Sequence, residues 1–241
     1  MTRCRMPVRR EIRVSSIENR VSRIEMRILI TAGGTREYID PVRFISNASS
    51  GRMGYALARA ALKAGHRVTL ITAPAAQRPP GGAKVIEVET AARMFEAVKK
   101  YFHRCDCLIM AAAVADYTPT RPAKTKIKKT GKHLNIKLKP TADILKWAGQ
   151  HKKLGRQKTE GGRQRGQIVV GFALEDKALR NRAEKKLKEK NLDMIIANTP
   201  AAIGADKATV QIKITGREWL KLSQAGKATI AKRIVSLVGS I

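Results

Sequence analysis

The chain has 241 residues, of which 43% are hydrophobic and only 4% aromatic. This length allows one α/β domain with a core of mainly aliphatic side chains. No apolar run approaches the roughly 20 residues that a membrane-spanning helix needs. The three cysteines also lack a zinc-binding spacing, so we expect a soluble protein of the reducing cytoplasm.

The formal net charge of +30 is the most unusual property of this composition. Nucleic-acid binding, a site for small polyanions, or a basic surface without a specific partner would each produce such an excess. Protein modules that bind single-stranded nucleic acid usually interleave aromatic rings with their positive charges. The basic runs 124–139 and 146–165 contain one histidine each and a single tryptophan. The pattern therefore favours a solvated basic surface with an anion site over dedicated nucleic-acid binding.

The first 25 residues differ from the rest of the chain. They carry seven arginines against three glutamates and show weak periodicity. No apolar segment of the kind found in a secretory signal peptide follows them. We expect a basic N-terminal extension over residues 1–25 and one domain over residues 26–241.

A strand–helix–strand unit opens the predicted domain. Ile28–Ile30 is the first strand, a helix begins near Met53, and Arg67–Thr72 is the second strand. The loop between the first strand and the helix is far longer than a simple turn. It is flanked by Gly33-Gly34 and by Ser46–Gly51, and backbone N–H groups in such bends beside a helix N-terminus suit an anion.

Strands and helices continue to alternate, separated by turns rich in glycine and proline. Residues 117–140 are predicted as a long Lys-rich loop with an extended piece at 134–139, and residues 155–166 as a mobile basic loop. The other predicted strands cover residues 84–88, 107–113, 168–173, 194–197 and 208–214, and the other helices cover 91–102, 141–150, 176–190 and 227–238. This order predicts an α/β fold with a doubly wound, mostly parallel Rossmann-like sheet and a small antiparallel extension.

The glycines after the first strand do not form a dinucleotide-binding fingerprint. Gly33-Gly34 does not fit G-x-G-x-x-G, and the second strand ends in Ile71-Thr72-Ala73-Pro74 without an acidic residue for a ribose. The Walker A pattern is absent as well. We therefore disfavour a reductase that uses NAD(P).

The segment Ser46–Gly51 is the strongest local candidate for a binding site. Asn47, Ser49 and Ser50 are all favoured helix caps, and one interpretation is that they only cap the next helix. Three such residues beside a glycine exceed what one cap requires, however. We favour the alternative, that this loop binds a phosphate or a carboxylate.

The predicted strand at 107–113 leads into a second candidate. Its small residues, Ala111–Ala115, would allow a flat ligand to approach the backbone, although a tightly packed strand has the same pattern. Asp116 follows at the carboxyl end, where open α/β sheets bind ligands. It is either a turn residue or the partner of Mg²⁺ or of a hydroxyl group.

Basic side chains and one aromatic ring complete the candidates. A solvated loop and a lid that closes over a triphosphate explain the densest run equally well, namely Lys124, Lys126, Lys128 and Lys129. Lys186 and Lys190 are spaced i, i+4 on one helix face, which either faces solvent or adds two charges to a phosphate site. Phe172 is either a core residue or a surface on which a base stacks.

As a set, these motifs resemble one family. The runs TAGGTREYIDPVRFISNASSG, AAAVADY, KIKK, VGFA and KNLDMIIAN, within about residues 26–238, are similar to phosphopantothenoylcysteine synthetase (phosphopantothenate–cysteine ligase). The resemblance implies condensation of 4′-phosphopantothenate with L-cysteine in coenzyme A biosynthesis. It also implies a homodimer, Mg²⁺, and an acyl-nucleotidylate formed from a nucleoside triphosphate. That nucleotide is CTP in most bacterial members and ATP in eukaryotic ones. Bifunctional members carry a flavin-dependent decarboxylase before this domain. Only 25 residues precede the domain here, so we expect the synthetase activity alone and no flavin site.

The resemblance also assigns roles to individual residues. Asn47 matches the asparagine that holds the acyl intermediate, and Lys126 matches the essential lysine of the K-x-K-K run. The positions that match nucleotide contacts, besides Lys126, are Met110, Ala111, Ala112, Asp116, Ala142, Asp143, Ile144, Leu145, Phe172, Lys186 and Lys190. Those expected to bind substrate or phosphate, besides Asn47, are Gly33, Gly34, Arg43, Ser49, Ser50 and Gly51. Ala142, where the family has proline, and a basic insertion at 156–165 lie near the expected base pocket and leave CTP versus ATP open.

Overall fold

The computed structural model describes residues 25–241 except 76, 132, 155–156 and 159–163. Residues 1–24 of the predicted extension and most of the predicted basic loop therefore lie outside the described residues. The helices are α1 (Arg52–Lys63), α2 (Ala91–Phe102), α3 (Ile144–His151), α4 (Leu179–Glu189), α5 (Lys227–Val238) and a 3₁₀ turn (Pro200–Ala202). The strands are β1 (Arg27–Ala32), β2 (Arg36–Tyr38), β3 (Phe44–Ser46), β4 (Arg67–Thr72), β5 (Lys84–Glu87), β6 (Cys107–Met110), β7 (Tyr117–Pro119), β8 (Leu138–Pro140), β9 (Gln157–Lys158), β10 (Gln164–Arg165), β11 (Ile168–Leu174), β12 (Met194–Asn198), β13 (Lys207–Ile214) and β14 (Leu220–Gly226).

Eight strands form the central sheet, in the order β14-β13-β12-β11-β6-β1-β4-β5. The strands from β12 to β5 are parallel, and β13 and β14 add an antiparallel hairpin at one edge. The chain runs outward from β1 to β5 and then returns to place β6 on the other side of β1. The predicted doubly wound, mostly parallel sheet with its small antiparallel extension is confirmed. Among the eight strands of this sheet, β14 alone was not predicted, because this half-exposed edge strand lacks a clear apolar alternation.

Helices cover both faces of the sheet, which explains the continuous apolar sequences of its central strands. All four residues of β6 are buried, as are five of the six in β1. On one face α1 and α5 pack against the sheet, and α2, α3 and α4 pack against the other. Among the described residues, no helix has the length and apolar composition that a bilayer span requires.

Two predicted elements are shorter in the structure for identifiable reasons. The strand predicted at 107–113 ends at Met110, because the chain then pairs with the turn after β1: the Ala113 amide donates to the Gly33 carbonyl at 2.8 Å. The helix predicted from residue 141 begins at Ile144, because the carboxylate of Asp143 accepts the Lys146 amide at 2.9 Å and caps it. This local hydrogen bond fixes where α3 begins.

Three small antiparallel pairs occupy segments predicted as loops, and one of them, β9 with β10, lies in the predicted basic loop. Strands β2 and β3 pair within the loop before α1, and β7 pairs with β8 across the Lys-rich segment. The extended piece predicted at 134–139 contributes only its last two residues to β8. Strands of three residues carry too little periodicity to be recognised in a sequence.

The two cysteines that the structure describes lie in the core. Cys105 and Cys107 are free thiols and are both buried. Burial raises the pKa of the Cys105 thiol to about 12 and that of the Cys107 thiol well above its ordinary value. Neither thiol is therefore a reactive thiolate at neutral pH.

Candidate active site

A cavity of about 790 Å³ opens at the carboxyl ends of β6, β11 and β12. It lies beside the point where the strand order reverses between β1 and β6, which is where open α/β sheets bind their ligands. The loop that precedes α1 forms one wall. The segment after β6 forms a second, and the beginning of α3 together with α4 forms a third.

The loop from Asn47 to Gly51 lines this cavity, and the structure separates its two possible roles. The N-cap of α1 is Gly51, which has a left-handed φ of 71° and supplies no side chain. The Ser49 hydroxyl accepts a hydrogen bond only from the backbone amide of Gly51, at 3.4 Å. The side-chain amide of Asn47 donates to the Val114 carbonyl at 3.1 Å. Neither side chain accepts an amide of the first helical turn, so simple capping does not explain the Asn/Ser composition.

Gly33 and Gly34 lie behind this loop rather than in the cavity. A Cβ on Gly33 would meet the Ala73 carbonyl oxygen at 2.5 Å, and one on Gly34 would meet the Asn47 carbonyl oxygen at 2.9 Å. Both residues are buried, and neither lines the cavity. Gly34 lets the Asn47 loop pack directly against the turn, and Gly33 lets the chain after β4 do so at Ala73. The cavity lining therefore gives no support to the expectation that the two glycines contact substrate.

The segment after β6 carries the predicted small residues and Asp116 to the second wall, which adjoins the Asn47 loop through the Asn47–Val114 hydrogen bond. Met110, Ala111 and Ala112 line the cavity, and the side chain of Asp116 is exposed within it. Two buried threonines that the sequence analysis missed hold this segment. Thr31 accepts the Ala112 amide at 3.2 Å and Thr35 accepts the Ala115 amide at 2.9 Å.

The third wall contains the expected residues 142–145 together with Phe172, Lys186 and Lys190. The ammonium group of Lys190 lies 2.7 Å from the Asp143 carboxylate, and that of Lys186 donates to the Phe172 carbonyl at 2.9 Å. Burial lowers the pKa of Lys186, and the neighbouring charge of Lys190 lowers it further. Burial opposes ionisation of Asp143, but the bonds from Lys190 and the Lys146 amide outweigh it and lower the pKa of this carboxyl.

A substitution at Asp143 tests this charge pairing separately from helix capping. Asparagine also caps helices, so Asp143→Asn removes the charge but keeps the cap. We expect a loss of stability below about 1 kcal/mol, because this partly exposed pair is screened by solvent. The folded pKa of Asp143 lies below its ordinary value of 3.8. The difference in the free energy of unfolding between the two proteins is therefore fully present above that pH. It disappears as the pH falls through the pKa of Asp143 in the folded protein. Urea denaturation at several pH values measures it, and an equal difference at pH 2 and pH 7 would contradict it.

Lys126 and Arg43 lie outside the cavity of the single chain. The carboxylate of Asp40, whose side chain has 0% exposure, binds the Arg43 guanidinium and accepts the Ile127 amide at 3.1 Å. The hydrogen bonds from Arg43 keep the pKa of Asp40 well below its ordinary range. Arg43 also donates to the Ile127 carbonyl at 2.8 Å. These contacts attach the lysine loop to the β2–β3 hairpin, with Lys126 exposed beside the attachment point.

Several cavity residues carried no recognised signal in the sequence. Arg52 and Lys227 are the first residues of α1 and α5, Asn198 is the last residue of β12, and residues 202–204 form an adjoining loop. Asn198 is followed by Thr199-Pro200, a turn signal that by itself indicates no role in binding. Arg52 and Lys227 lie far apart in sequence, and only the packing of α1 against α5 brings the starts of these helices to the same cavity.

A comparison of the sequence with models of protein families identifies the family of this chain. The profile of the DNA/pantothenate metabolism flavoprotein C-terminal domain matches residues 24–241. The chain belongs to this family. The match covers the whole sheet and all three walls of the cavity.

Similar proteins share both sequence and fold with the chain. The coenzyme A biosynthesis bifunctional protein CoaBC of Bacillus subtilis is 48% identical over 179 residues, which are 74% of this chain and 41% of that protein. A cysteine/cysteine sulfinic acid decarboxylase from an unknown prokaryotic organism is 42% identical over 221 residues, 88% of this chain and 58% of that protein. The chain thus spans about half the length of the curated relatives that it matches.

Solved structures agree with this assignment. The crystal structure of the C-terminal domain of CoaBC superimposes with a TM-score of 0.74 at 37% identity and covers 90% of this chain and 96% of that domain. A Cab2 variant in complex with phosphopantothenate-cysteine has the same fold, with a TM-score of 0.69 at 17% identity over 89% of this chain and 86% of that one. The likeness to Cab2 supports the fold alone.

Proposed function

We propose that this chain condenses 4′-phosphopantothenate with L-cysteine at the expense of a nucleoside triphosphate, a step of coenzyme A biosynthesis that takes place in the cytoplasm. The observation that carries the proposal is the cavity itself. The Asn47–Gly51 loop and Asp116 line the same cavity, and Lys186 and Lys190 lie on its third wall. The relatives named for coenzyme A biosynthesis support the same conclusion.

The proposed reaction has two steps. The substrate carboxylate attacks the α-phosphorus of the nucleotide, the bond to the bridging oxygen breaks, and pyrophosphate leaves. The cysteine amine then attacks the acyl carbonyl of the nucleotidylate, loses a proton and displaces the nucleoside monophosphate. Both steps concentrate negative charge in the cavity. Preorganised cations and N–H donors stabilise such charge strongly.

Each wall of the cavity has a role in this proposal. The amide of Asn47 binds the acyl oxygen, and the backbone N–H groups of residues 49–51 bind phosphate oxygens. Lys186 and Lys190 neutralise the nucleotide, while Phe172 and residues 142–145 surround its base. Asp116 is the carboxylate that would hold Mg²⁺, and the ion would supply positive charge to neutralise the phosphates of the nucleotide. Mg²⁺ commonly binds one or two carboxylates together with substrate phosphates. Among the described residues no three acidic, histidine or cysteine side chains cluster into a cage made by protein alone.

We also propose that the active species is a homodimer. Large apolar side chains on β2–β3 and β7–β8 are exposed: Val42 58%, Phe44 41%, Ile45 37%, Tyr117 55% and Leu138 40%. Apolar groups concentrated in this way commonly mark a protein–protein interface. Lys126 lies beside this surface and outside its own cavity. A second copy packed here would bring Lys126 towards the cavity of its partner.

One assay tests the proposed reaction. Purified protein is incubated with phosphopantothenate, cysteine, Mg²⁺ and either CTP or ATP, and pyrophosphate is measured. We expect release only when nucleotide and phosphopantothenate are both present, and faster release with CTP, the nucleotide of most bacterial members. If no pyrophosphate were released with either CTP or ATP, the ligase proposal would be wrong. A preference for ATP would contradict only the choice of nucleotide.

The decarboxylase relative favours a second candidate, decarboxylation of cysteine or of cysteine sulfinic acid. That protein extends well beyond the part that this chain matches, and the cationic walls of the cavity suit a nucleotide better than a small amino acid. The same samples distinguish the two activities. Carbon dioxide released from cysteine without nucleotide would favour decarboxylation.

A further inference from the structure

A second pair of positive side chains lies in the cavity, away from Lys186 and Lys190. Arg52 begins α1 directly after Gly51, and Lys227 begins α5. Both line the cavity. Burial lowers the pKa of Lys227, and the charge of Arg52 lowers it further, so the two cations are close enough to repel one another. An anion bound between them would remove this repulsion.

One carboxylate offsets this charge only in part. Arg52 forms an ion pair with Asp206 at 2.6 Å, and the Asp206 side chain is 84% exposed. Lys227 has no ion pair within 4.0 Å among the described residues. Two cations therefore face one solvent-exposed carboxylate, which leaves a net positive charge. The N-termini of α1 and α5 add to it, because neither helix has an acidic residue in its first turn or a side-chain cap.

We propose that Arg52 and Lys227 bind the β- and γ-phosphates of the nucleotide and stabilise the pyrophosphate that leaves. This inference rests on the proposed function. Since Arg52 follows the Asn47–Gly51 loop directly, a nucleotide whose α-phosphate lies at that loop carries its remaining phosphates towards Arg52. An arginine fork binds two phosphate oxygens at once, and an ammonium group supplies a point charge beside it.

The chemistry of the substrates distinguishes this assignment from the other phosphate of the reaction. Pyrophosphate is bonded directly to the reacting α-phosphorus and takes the electron pair of the bond that breaks. The phosphate of phosphopantothenate is at the opposite end of that molecule from the reacting carboxylate. A cationic pair immediately beyond the reacting loop therefore fits the leaving group.

Calorimetric titration of matched variants tests the proposal. The test variants are Lys227→Gln and Arg52→Gln, and the controls are Lys232→Gln and Arg59→Gln, which remove exposed charges from the same two helices. The probes are pyrophosphate, the nucleoside triphosphate, its monophosphate and phosphopantothenate. We expect each test variant to bind pyrophosphate and triphosphate about tenfold more weakly, with the monophosphate and phosphopantothenate unchanged. Lys227→Arg should restore most of the affinity.

Three results would overturn the assignment. They are pyrophosphate affinity equal to that of the control variants, a loss confined to phosphopantothenate, and no measurable pyrophosphate binding by the unmodified protein. Unfolding midpoints measured beside the titrations establish that each variant is folded. Binding requires no turnover, so these outcomes stay distinct from a failure of the proposed reaction, which would show as intact binding without pyrophosphate release.

Discussion

Replacement of Lys126 by alanine is expected to slow pyrophosphate release by about a hundredfold to a thousandfold, the range for loss of one preorganised charge donor at a transition state. Lys126 is exposed and outside the cavity of its own chain, so the loss should leave stability nearly unchanged. Lys124→Ala is the matched control, because it removes an exposed charge from the same loop. Steady-state turnover with saturating substrates measures the effect. If Lys126→Ala kept normal turnover, its catalytic assignment would be wrong.

A mixing experiment decides whether Lys126 acts on its own chain or on a partner. Asn47→Ala and Lys126→Ala each inactivate a homodimer. If Lys126 serves the cavity of the other subunit, a mixed dimer contains one site with both residues intact. Random reassociation should then restore about a quarter of normal activity, since half of the dimers of this two-fold assembly are mixed and each has one working site.

The contrary result is equally clear. If Lys126 serves its own chain, every site in the mixture carries one lesion and activity stays at the level of the single variants. Native mass spectrometry of the mixture establishes that mixed dimers have formed. A monomeric protein that retains full activity would exclude the dimer altogether.

Much of the site could be predicted from the sequence because it follows directly from buried strands. The run at Cys107–Met110 is apolar throughout and therefore lies inside a two-sided sheet, so the next polar residue, Asp116, had to emerge at the carboxyl edge. The same reasoning applied to the loop after β1, which contains Asn47. Asp116 follows its strand closely, so the sheet itself places it. Asn47 lies in a long loop and reaches the same edge because that loop leads into α1.

The remaining features depend on contacts between distant segments. Asp40 is buried because it pairs with Arg43 and receives the Ile127 amide, a contact across 87 positions that no local pattern encodes. This contact sets where the lysine loop lies. The convergence of Arg52 with Lys227 depends in the same way on how α1 packs against α5. Sequence motifs supplied candidate residues, but only tertiary packing determines which of them share a cavity.

Gly149 shows how such packing overrides a local preference and also positions the third wall of the cavity. Alanine is favoured over glycine inside a helix by roughly 0.5–1 kcal/mol, so propensity alone predicts that Gly149→Ala stabilises α3. In the structure, however, a Cβ at this position would lie 1.8 Å from the Lys190 carbonyl oxygen. The Gly149 carbonyl also accepts the Asn191 side chain at 2.8 Å, so α3 and the end of α4 are in direct backbone contact.

We expect Gly149→Ala to lower the free energy of unfolding by about 3 kcal/mol, because the obstacle is backbone and cannot rotate away. The helices must separate, which moves Lys190 away from Asp143 and should raise the KM for the nucleotide more than that for cysteine. Gly81→Ala is the control, since a Cβ there meets no atom within 4 Å. Urea denaturation and nucleotide-dependent kinetics measure the two effects. An unchanged unfolding midpoint for Gly149→Ala would mean that α3 and α4 do not approach as closely as this, and that the Asp143–Lys190 pair is held in some other way.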